Sequence, residues 1–360
     1  MLTKAAGHMS KKNDSVGEEL FGEFLEGAKN SIIKKGCVEY WYEIAGHKIQ
    51  FKFAGSAMVP KIVPALAHMQ RAIPHNAEEA DLTVWLWDSV STEVDPPPCT
   101  WDGEGFMDAW LHRQYDHDNI VTVTFNVNSG ILNLYNHQER TAIFWTKDAE
   151  AIPYFETGAP LRNIFALWAA EKGFQLAHAA VVGTESGALL IAGKGGAGKS
   201  TSALSTLLYS DLKYLGDDYI LIGNDAQKTV YTLYTSAKLH ATHIKNLPDL
   251  ESMVSNKDRL DTEKALIFVN EYHPKKILRS LPTKAIVLPT VWNNSESRLV
   301  RTSSAHALRA LAPSSIFQLP GRIKGTFSFF GSFVKEVPAY TLYAGNDLRN
   351  LPKRLLEITD

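Results

Sequence analysis

The sequence predicts an α/β protein in two parts: an α+β N-terminal module and a C-terminal domain built around a phosphate-binding loop. Three observations predict it. Blocks of alternating apolar and polar residues, the grammar of half-buried strands, fill the first part. An apolar run then feeds a loop of small residues and a helical pattern in "LLIAGKGGAGKSTSALSTLL", Leu189 to Leu208. About one helix later an Asp-Asp pair opens a further strand in "LKYLGDDYILI".

The elements follow in order. Residues 1–10 are set aside, because Gly7-His8-Met9 reads as a vector junction before a native methionine. The N-terminal module then runs over 11–158. From Glu18 to Ile33 the residues Leu20, Phe21, Phe24, Leu25 and Ala28 share one helical face. Tyr40, Tyr42 and Ile44, a turn at Gly46, and Ile49, Phe51 and Phe53 spell a hairpin. A short helix is expected over Ile62–Met69. Leu82, Val84 and Leu86 mark the next strand, and a second hairpin turns at Asn128-Ser129-Gly130. All of these strands are expected to pair antiparallel. Trp85 and Trp87 point to the other side of their strand. They form either a binding surface or a second buried face, and burial is the commoner fate of large aromatics. Pro96-Pro97-Pro98 reads as a stiff loop.

The boundary is placed at Gly158-Ala159-Pro160, so the second domain covers 159–360. Leu161–Gly173 reads as a helix stopped by glycine. Leu176–Val182 reads as one strand, and after a turn at Gly183–Gly187 a second strand runs from Ala188 to Ala192 into the loop. Further strands are expected at Tyr219–Ile222, Ala265–Val269 and Ala285–Leu288. A last helix begins at Ser303 or Ser304 as N-cap and ends before Pro313.

Composition narrows the partners. The 360 residues carry a net charge of −2, which gives no electrostatic case for nucleic acid or an anionic membrane. No apolar run reaches the length of a membrane span. The two cysteines, Cys37 and Cys99, stand far apart in no metal-ligand spacing, so a reducing cytoplasmic setting is expected and a disulfide framework is not. His240, His243 and His273 likewise show no metal-ligand spacing.

The loop Gly193-Lys194-Gly195-Gly196-Ala197-Gly198-Lys199-Ser200 matches G-x-x-x-x-G-K-[ST] without a gap. Glycines let backbone N–H groups approach phosphate oxygens with no Cβ in the way. The following helix aims its positive end at the same anion. Lys199 adds a full charge for the β- and γ-phosphates, and the Ser200 hydroxyl, followed by Thr201, faces Mg²⁺. A nucleotide's phosphates, with Mg²⁺, are therefore the expected ligands of the loop, which by itself suits kinases, motors, switches and transporters alike. One carboxylate near such a loop holds the metal through water. A second, adjacent one can take a proton from an acceptor hydroxyl. Asp217 and Asp218 are the candidates.

The order His178 in "LAHAAVVG", phosphate loop, then "GDDY" resembles the catalytic domain of bacterial HPr serine kinase/phosphorylase. The dense match covers about Gln175 to Ile222. Elsewhere the chain resembles HPr-kinase-related proteins of unassigned substrate, in which segments similar to "YTSAKL", "RSLPTKAIVLP" and "ALRALAPSSIFQLPG" recur. The resemblance implies a P-loop kinase domain of the phosphoenolpyruvate-carboxykinase-like type rather than a doubly wound sheet. It also implies ATP, Mg²⁺, transfer to a serine-like hydroxyl of a peptide or protein, and self-association. Carried over, Asp217 is the general base, Asp218 its partner near the metal, and His178 a neighbour of the phosphates. Lys238 and Arg279 are candidates for phosphate or acceptor contacts, with a local salt bridge as the plainer alternative for each. The family's later E-[IV]-R-G-L-G run has no counterpart here, which speaks against HPr itself as acceptor. Two other readings stand beside the peptide kinase: a kinase of a small-molecule, sugar-like or lipid hydroxyl, and a non-catalytic ATP sensor.

Overall fold

The computed structural model describes residues 2–74, 79–98, 106–108, 111–112, 120–320 and 323–359. They form two compact units, one of residues 1–64 with 70–168 and one of residues 65–69 with 169–360. Cys99 lies outside the described residues, and Cys37 is a free, exposed thiol.

In the first unit a seven-stranded sheet runs in the order Gln70–Arg71, Cys37–Ile44, His47–Ala54, Leu82–Asp88, Thr141–Thr146, Ile131–Asn136, Val121–Asn126. Both expected hairpins form. The first turns at Ala45-Gly46, both with positive φ, and the second at Val127–Gly130, with Gly130 at φ +63°. The sheet is not antiparallel throughout, however. His47–Ala54 pairs parallel with Leu82–Asp88, which pairs parallel with Thr141–Thr146. The reason lies in the connections. Ala54 is joined to Leu82 through the helical turns Val59–Ile62 and Pro64–Met69, a crossover rather than a tight turn, and a crossover returns the chain in the same direction.

Each face of this sheet is covered by a helix. The long helix Leu2–Lys35 presses Leu20, Phe21, Phe24 and Ala28 onto Trp87, Val123, Leu134 and Ile143. Trp87 is fully buried, with Phe24 and Trp145 at ring distances of 6.2 Å, so the second face is core. Trp85 is partly buried beneath the Lys52 ammonium, 4.9 Å from the ring. On the opposite face Phe51 meets Phe165 of the helix Arg162–Glu171.

The second unit holds a six-stranded mixed sheet, ordered Lys213–Gly216, Ala180–Thr184, Gly187–Ile191, Thr283–Val291, Ala339–Ala344, Arg298–Thr302. Beside it stand an antiparallel four-stranded sheet (Phe174–Ala177, Ile220–Gly223, Val230–Tyr231, Ser280–Leu281) and a two-stranded ribbon of Ser236–Leu239 with Ala265–Phe268. One core joins the phosphate-loop helix Lys199–Tyr209 (Ala203, Leu204, Leu207) to Val182, Leu189, Ala237 and Leu239. A second core lies under the helices Ser304–Ile316 and Ile323–Glu336, where Leu311, Phe330 and Phe333 meet Val181, Leu190 and Ile286.

Two expectations change here. Leu176–Val182 is not one strand. Phe174–Ala177 pairs with Ile220–Gly223, and Ala180–Thr184 pairs with strands of the six-stranded sheet, so the chain changes sheets at His178-Ala179. The helix that begins at N-cap Ser303 also does not stop before Pro313 but runs on to Ile316. Burial of Leu311, Ala312, Ser315 and Ile316 holds the last turn together despite the missing proline donor.

The covering helix contains two glycines with opposite tolerances. A Cβ at Gly27 would lie 2.9 Å from Cζ2 of Trp87, whereas one at the exposed Gly22 would meet nothing within 4 Å. Gly22→Ala is expected to raise the urea midpoint through helix propensity, by up to about 1 kcal/mol. Gly27→Ala is expected to lower it by about 1–3 kcal/mol through overpacking. Equal effects at the two positions would refute the packing account.

His68 supplies a second prediction, on pH. Burial, then the nearby Arg279 guanidinium, hold its imidazole down to about 3 from an ordinary 6.5, with Nε2 2.8 Å from the Thr232 hydroxyl. Below pH 6.5 the unfolded chain takes a proton that the folded chain refuses. Stability is therefore expected to fall from pH 6.5 toward 3 by up to about 1.4 kcal/mol per pH unit, with no such loss above 6.5. Comparing the pH slopes of wild type and His68→Met in urea melts isolates that share.

Candidate active site

The strand Gly187–Ile191 ends at full burial, and the chain leaves it through Ala192 into the glycine loop. Gly196 and Gly198 adopt φ of +77° and +101°, a region closed to most side chains, and Gly198 caps the helix Lys199–Tyr209. At Gly193 a Cβ would stand 3.0 Å from that of Ala197. Ala197 N–H closes the loop on the Lys194 carbonyl at 3.1 Å. Among the described residues, the N–H groups of Gly195, Gly196 and Gly198 donate to no backbone acceptor.

Lys199 lies inside this loop. It is 7% exposed, and its ammonium donates to the Gly193 carbonyl at 2.8 Å and the Lys194 carbonyl at 3.5 Å. Burial lowers its pKa below the usual lysine value, and the charges of Asp217 and Asp218 oppose that shift. Lys276 anchors the other end of the helix by donating to the Leu207 and Ser210 carbonyls, both at 2.7 Å.

The carboxylate pair occupies a second place where the chain changes sheets. Lys213–Gly216 belongs to the six-stranded sheet and Ile220–Gly223 to the four-stranded one, so Asp217–Tyr219 makes the crossing. It runs beside the His178-Ala179 crossing, because Ala177 pairs with Ile220 and Val181 with Gly216. The bend is a γ-turn: Tyr219 N–H donates to the Asp217 carbonyl at 2.9 Å, and Asp218 at its centre has φ +72°. The structure thus brings His178, Asp217, Asp218, Lys199 and Ser200 to one locality.

The two carboxylates have different surroundings. Asp217 is 2% exposed, accepts Asp218 N–H at 2.9 Å and is hydrogen-bonded by the Ser200 hydroxyl. Burial, then the neighbouring Asp218, push its pKa up, while the Ser200 bond and Lys199 restrain the rise. Asp218 pairs with Lys238 through one oxygen, and its other oxygen lies 3.3 Å from His178 Nε2. Burial alone would raise its pKa, but Lys238 and His178 overcome that and hold it well below the ordinary carboxylate range.

Lys238 is therefore at the site, with a side chain only 10% exposed. Arg279 is not in contact with the pair: it is exposed and donates to the His68 carbonyl at 3.3 Å. Sequence reasoning missed the support behind His178. Its backbone N–H donates to Ser315 Oγ at 2.9 Å, and its Nδ1 lies 3.0 Å from Gln318 Oε1, which also accepts the Tyr219 hydroxyl at 3.2 Å. No local pattern in "SSIFQLPG" announces that contact, which arises when the helix Ser304–Ile316 is carried across to the crossing.

Among the described residues no three His, Cys, Asp or Glu side chains gather to hold a metal. Ser200 and Asp217 do offer adjacent hard oxygens beside the loop, which suits Mg²⁺ sharing its shell with water and phosphate. No helix is long and apolar enough to cross a membrane among the described residues.

No family model matches the chain, and no curated protein matches it. Among solved structures the chain is similar to the HPr(Ser) kinase/phosphatase from Coxiella burnetii. The identity is 12%, over 51% of this chain and 93% of that one, with a TM-score of 0.27. At that score the likeness carries no argument about this chain's activity.

The pairing of Asp218 with Lys238 has a measurable consequence. Lys238→Met strands a buried carboxylate and is expected to cost roughly 2–4 kcal/mol in urea unfolding at pH 7. Adding Asp218→Asn should recover part of that loss, because the stranded charge goes with it. The Asp218 contribution is present above the unfolded carboxylate value and is lost as pH falls below about 4. Strict additivity of the two substitutions would show that the ion pair is not coupled.

Proposed function

We propose that this chain is an ATP-dependent phosphotransferase that moves the terminal phosphoryl group to a hydroxyl, with a serine-like hydroxyl of a peptide or protein as the acceptor class. One observation carries the reading: a complete phosphate loop, with Lys199 folded into it, lies against a buried Asp-Asp pair whose members are electrostatically unlike. A nucleotide sensor needs only one metal-side carboxylate. Burying a second costs stability and calls for a chemical role.

In this reading the free N–H groups of the glycine loop hold the phosphate chain. Lys199 exchanges the Gly193 carbonyl for β- and γ-oxygens. Ser200 would hold Mg²⁺, which when bound would neutralise phosphate charge. Asp217 receives the acceptor proton. Its raised pKa makes it the better proton acceptor of the pair, whereas Asp218 has one oxygen on Lys238 and the other beside His178 Nε2. Asp218 is thus assigned to fixing His178 and Lys238 rather than to the metal side, where the sequence had put it.

The Ser200 contact also favours a second assignment, with Asp217 holding the metal through water. One substitution separates the two. With γ-labelled ATP and an extract of the protein's own cell, Asp217→Asn is expected to cut transfer by 10²–10⁴-fold while MgATP affinity stays within about threefold. A matching loss of Mg²⁺-dependent nucleotide affinity would instead make Asp217 the metal-side carboxylate. Lys199→Ala should abolish both binding and transfer. Wild-type transfer that survives Lys199→Ala would end the phosphotransferase reading.

A further inference from the structure

The ribbon of Ser236–Leu239 and Ala265–Phe268 has two unlike faces. Ala237, Leu239, Ala265 and Ile267 enter the core shared with the phosphate-loop helix. In this antiparallel register Lys238 stands opposite Leu266 and Leu239 opposite Ala265. Residues two apart along a strand share a face, so His240 and Lys264, at the end of the ribbon, fall on the side of Lys238. That side is turned to the site, because Lys238 sits on Asp218. Lys264 lies close enough to Lys199 and to His240 to disfavour the charged form of each. The adjoining carboxylate is no partner for it: Glu263 is engaged by Arg259 at 3.3 Å and by Asn256 at 3.0 Å. Among the described residues Lys264 and His240 make no ion pair, and the ring of His243 lies 5.8 Å from that of His240. The Lys264 ammonium, with no ion-pair partner among the described residues and near the Lys199 ammonium, is unfavourable until an anion arrives.

We propose that Lys264 and His240 form a second anion subsite beside the phosphate loop, one that takes a phosphoryl group lying beyond the part of the nucleotide held by the glycine N–H groups. The subsite rests on the phosphate-loop reading above. The phosphoryl group has two sources, the terminal group of the nucleotide or a phosphate borne by the other substrate. Both present the same chemistry, a tetrahedral dianion of oxygen acceptors.

Calorimetric titration of the full chain tests it with three probes: MgADP, MgATP, and inorganic phosphate added to the MgADP complex. Lys264→Gln is expected to leave MgADP affinity within about twofold. It should weaken either MgATP or the added phosphate by about tenfold, the scale of one lost charge-assisted hydrogen bond. Loss for MgATP identifies the nucleotide's terminal group, and loss for phosphate alone identifies the other substrate. Lys264→Arg should restore the affected probe, and His240→Gln should weaken the same probe more mildly. Two results overturn the subsite: no change beyond twofold for any probe, or an equal loss for all three. If wild type takes up neither nucleotide, the phosphate-loop reading itself has failed and the subsite falls with it. If nucleotide binds and Lys264→Gln is silent, the subsite alone has failed.

Discussion

The site depends on one constraint: two chain segments change sheets side by side. Strands end at Ala177 and Gly216, others begin at Ala180 and Ile220, and the residues between them have no ladder partner. Such positions must satisfy their backbone locally or from another element. The structure does both. Asp217 and Tyr219 close a tight turn on themselves, and Ser315 reaches over to the His178 N–H. Freed from the strand alternation, His178, Asp217 and Asp218 can all point to one place. A continuous strand would have sent neighbours to opposite faces. The left-handed φ of Asp218 is the local strain of that arrangement, and it falls on a residue type that tolerates it better than most.

Charge balance explains why the crossing does not come apart. Two adjacent carboxylates at low exposure repel each other and resist burial. Lys238 and His178 bind one of them, and Lys199 and Ser200 face the other. The same counterions leave the pair asymmetric, one carboxyl driven up and the other held down. Lys199, meanwhile, donates to carbonyls of its own loop, so its desolvation is partly offset.

What the sequence made legible follows from how local each signal is. The glycine loop is a contiguous pattern whose every residue has a steric or electrostatic reason, and a loop with positive-φ glycines leading into a helix forms where read. Both hairpins were legible for the same reason, since turn and alternation sit within a few residues. Three things were not. The parallel joins at Leu82–Asp88 depend on how long connections pass, which alternation does not encode. The break at His178 hides inside an unbroken apolar run, because both halves are buried in different sheets. Gln318 reaches the site from 140 residues away in sequence. Pro313 misled in the opposite sense, a strong local stop signal overridden by packing of the turn that contains it.

The electrostatics of the site also bear on what binds with the nucleotide. A triphosphate brings a multiply negative chain to a place that already holds two carboxylates. Lys199 supplies one positive charge there, and the Lys238 charge is largely spent on Asp218. In the proposed reading such a nucleotide would need a counterion of its own beside the Ser200 hydroxyl. The Lys264 ammonium, at the ribbon's end, falls on the face that looks toward the same crossing. In the proposed reading, then, the loop amides and Lys199 hold the phosphate chain and Lys264 meets what lies beyond it. In that reading a transferred phosphoryl group would meet compensating charge on both sides, and the displaced proton would pass to Asp217, whose pKa burial and Asp218 raise.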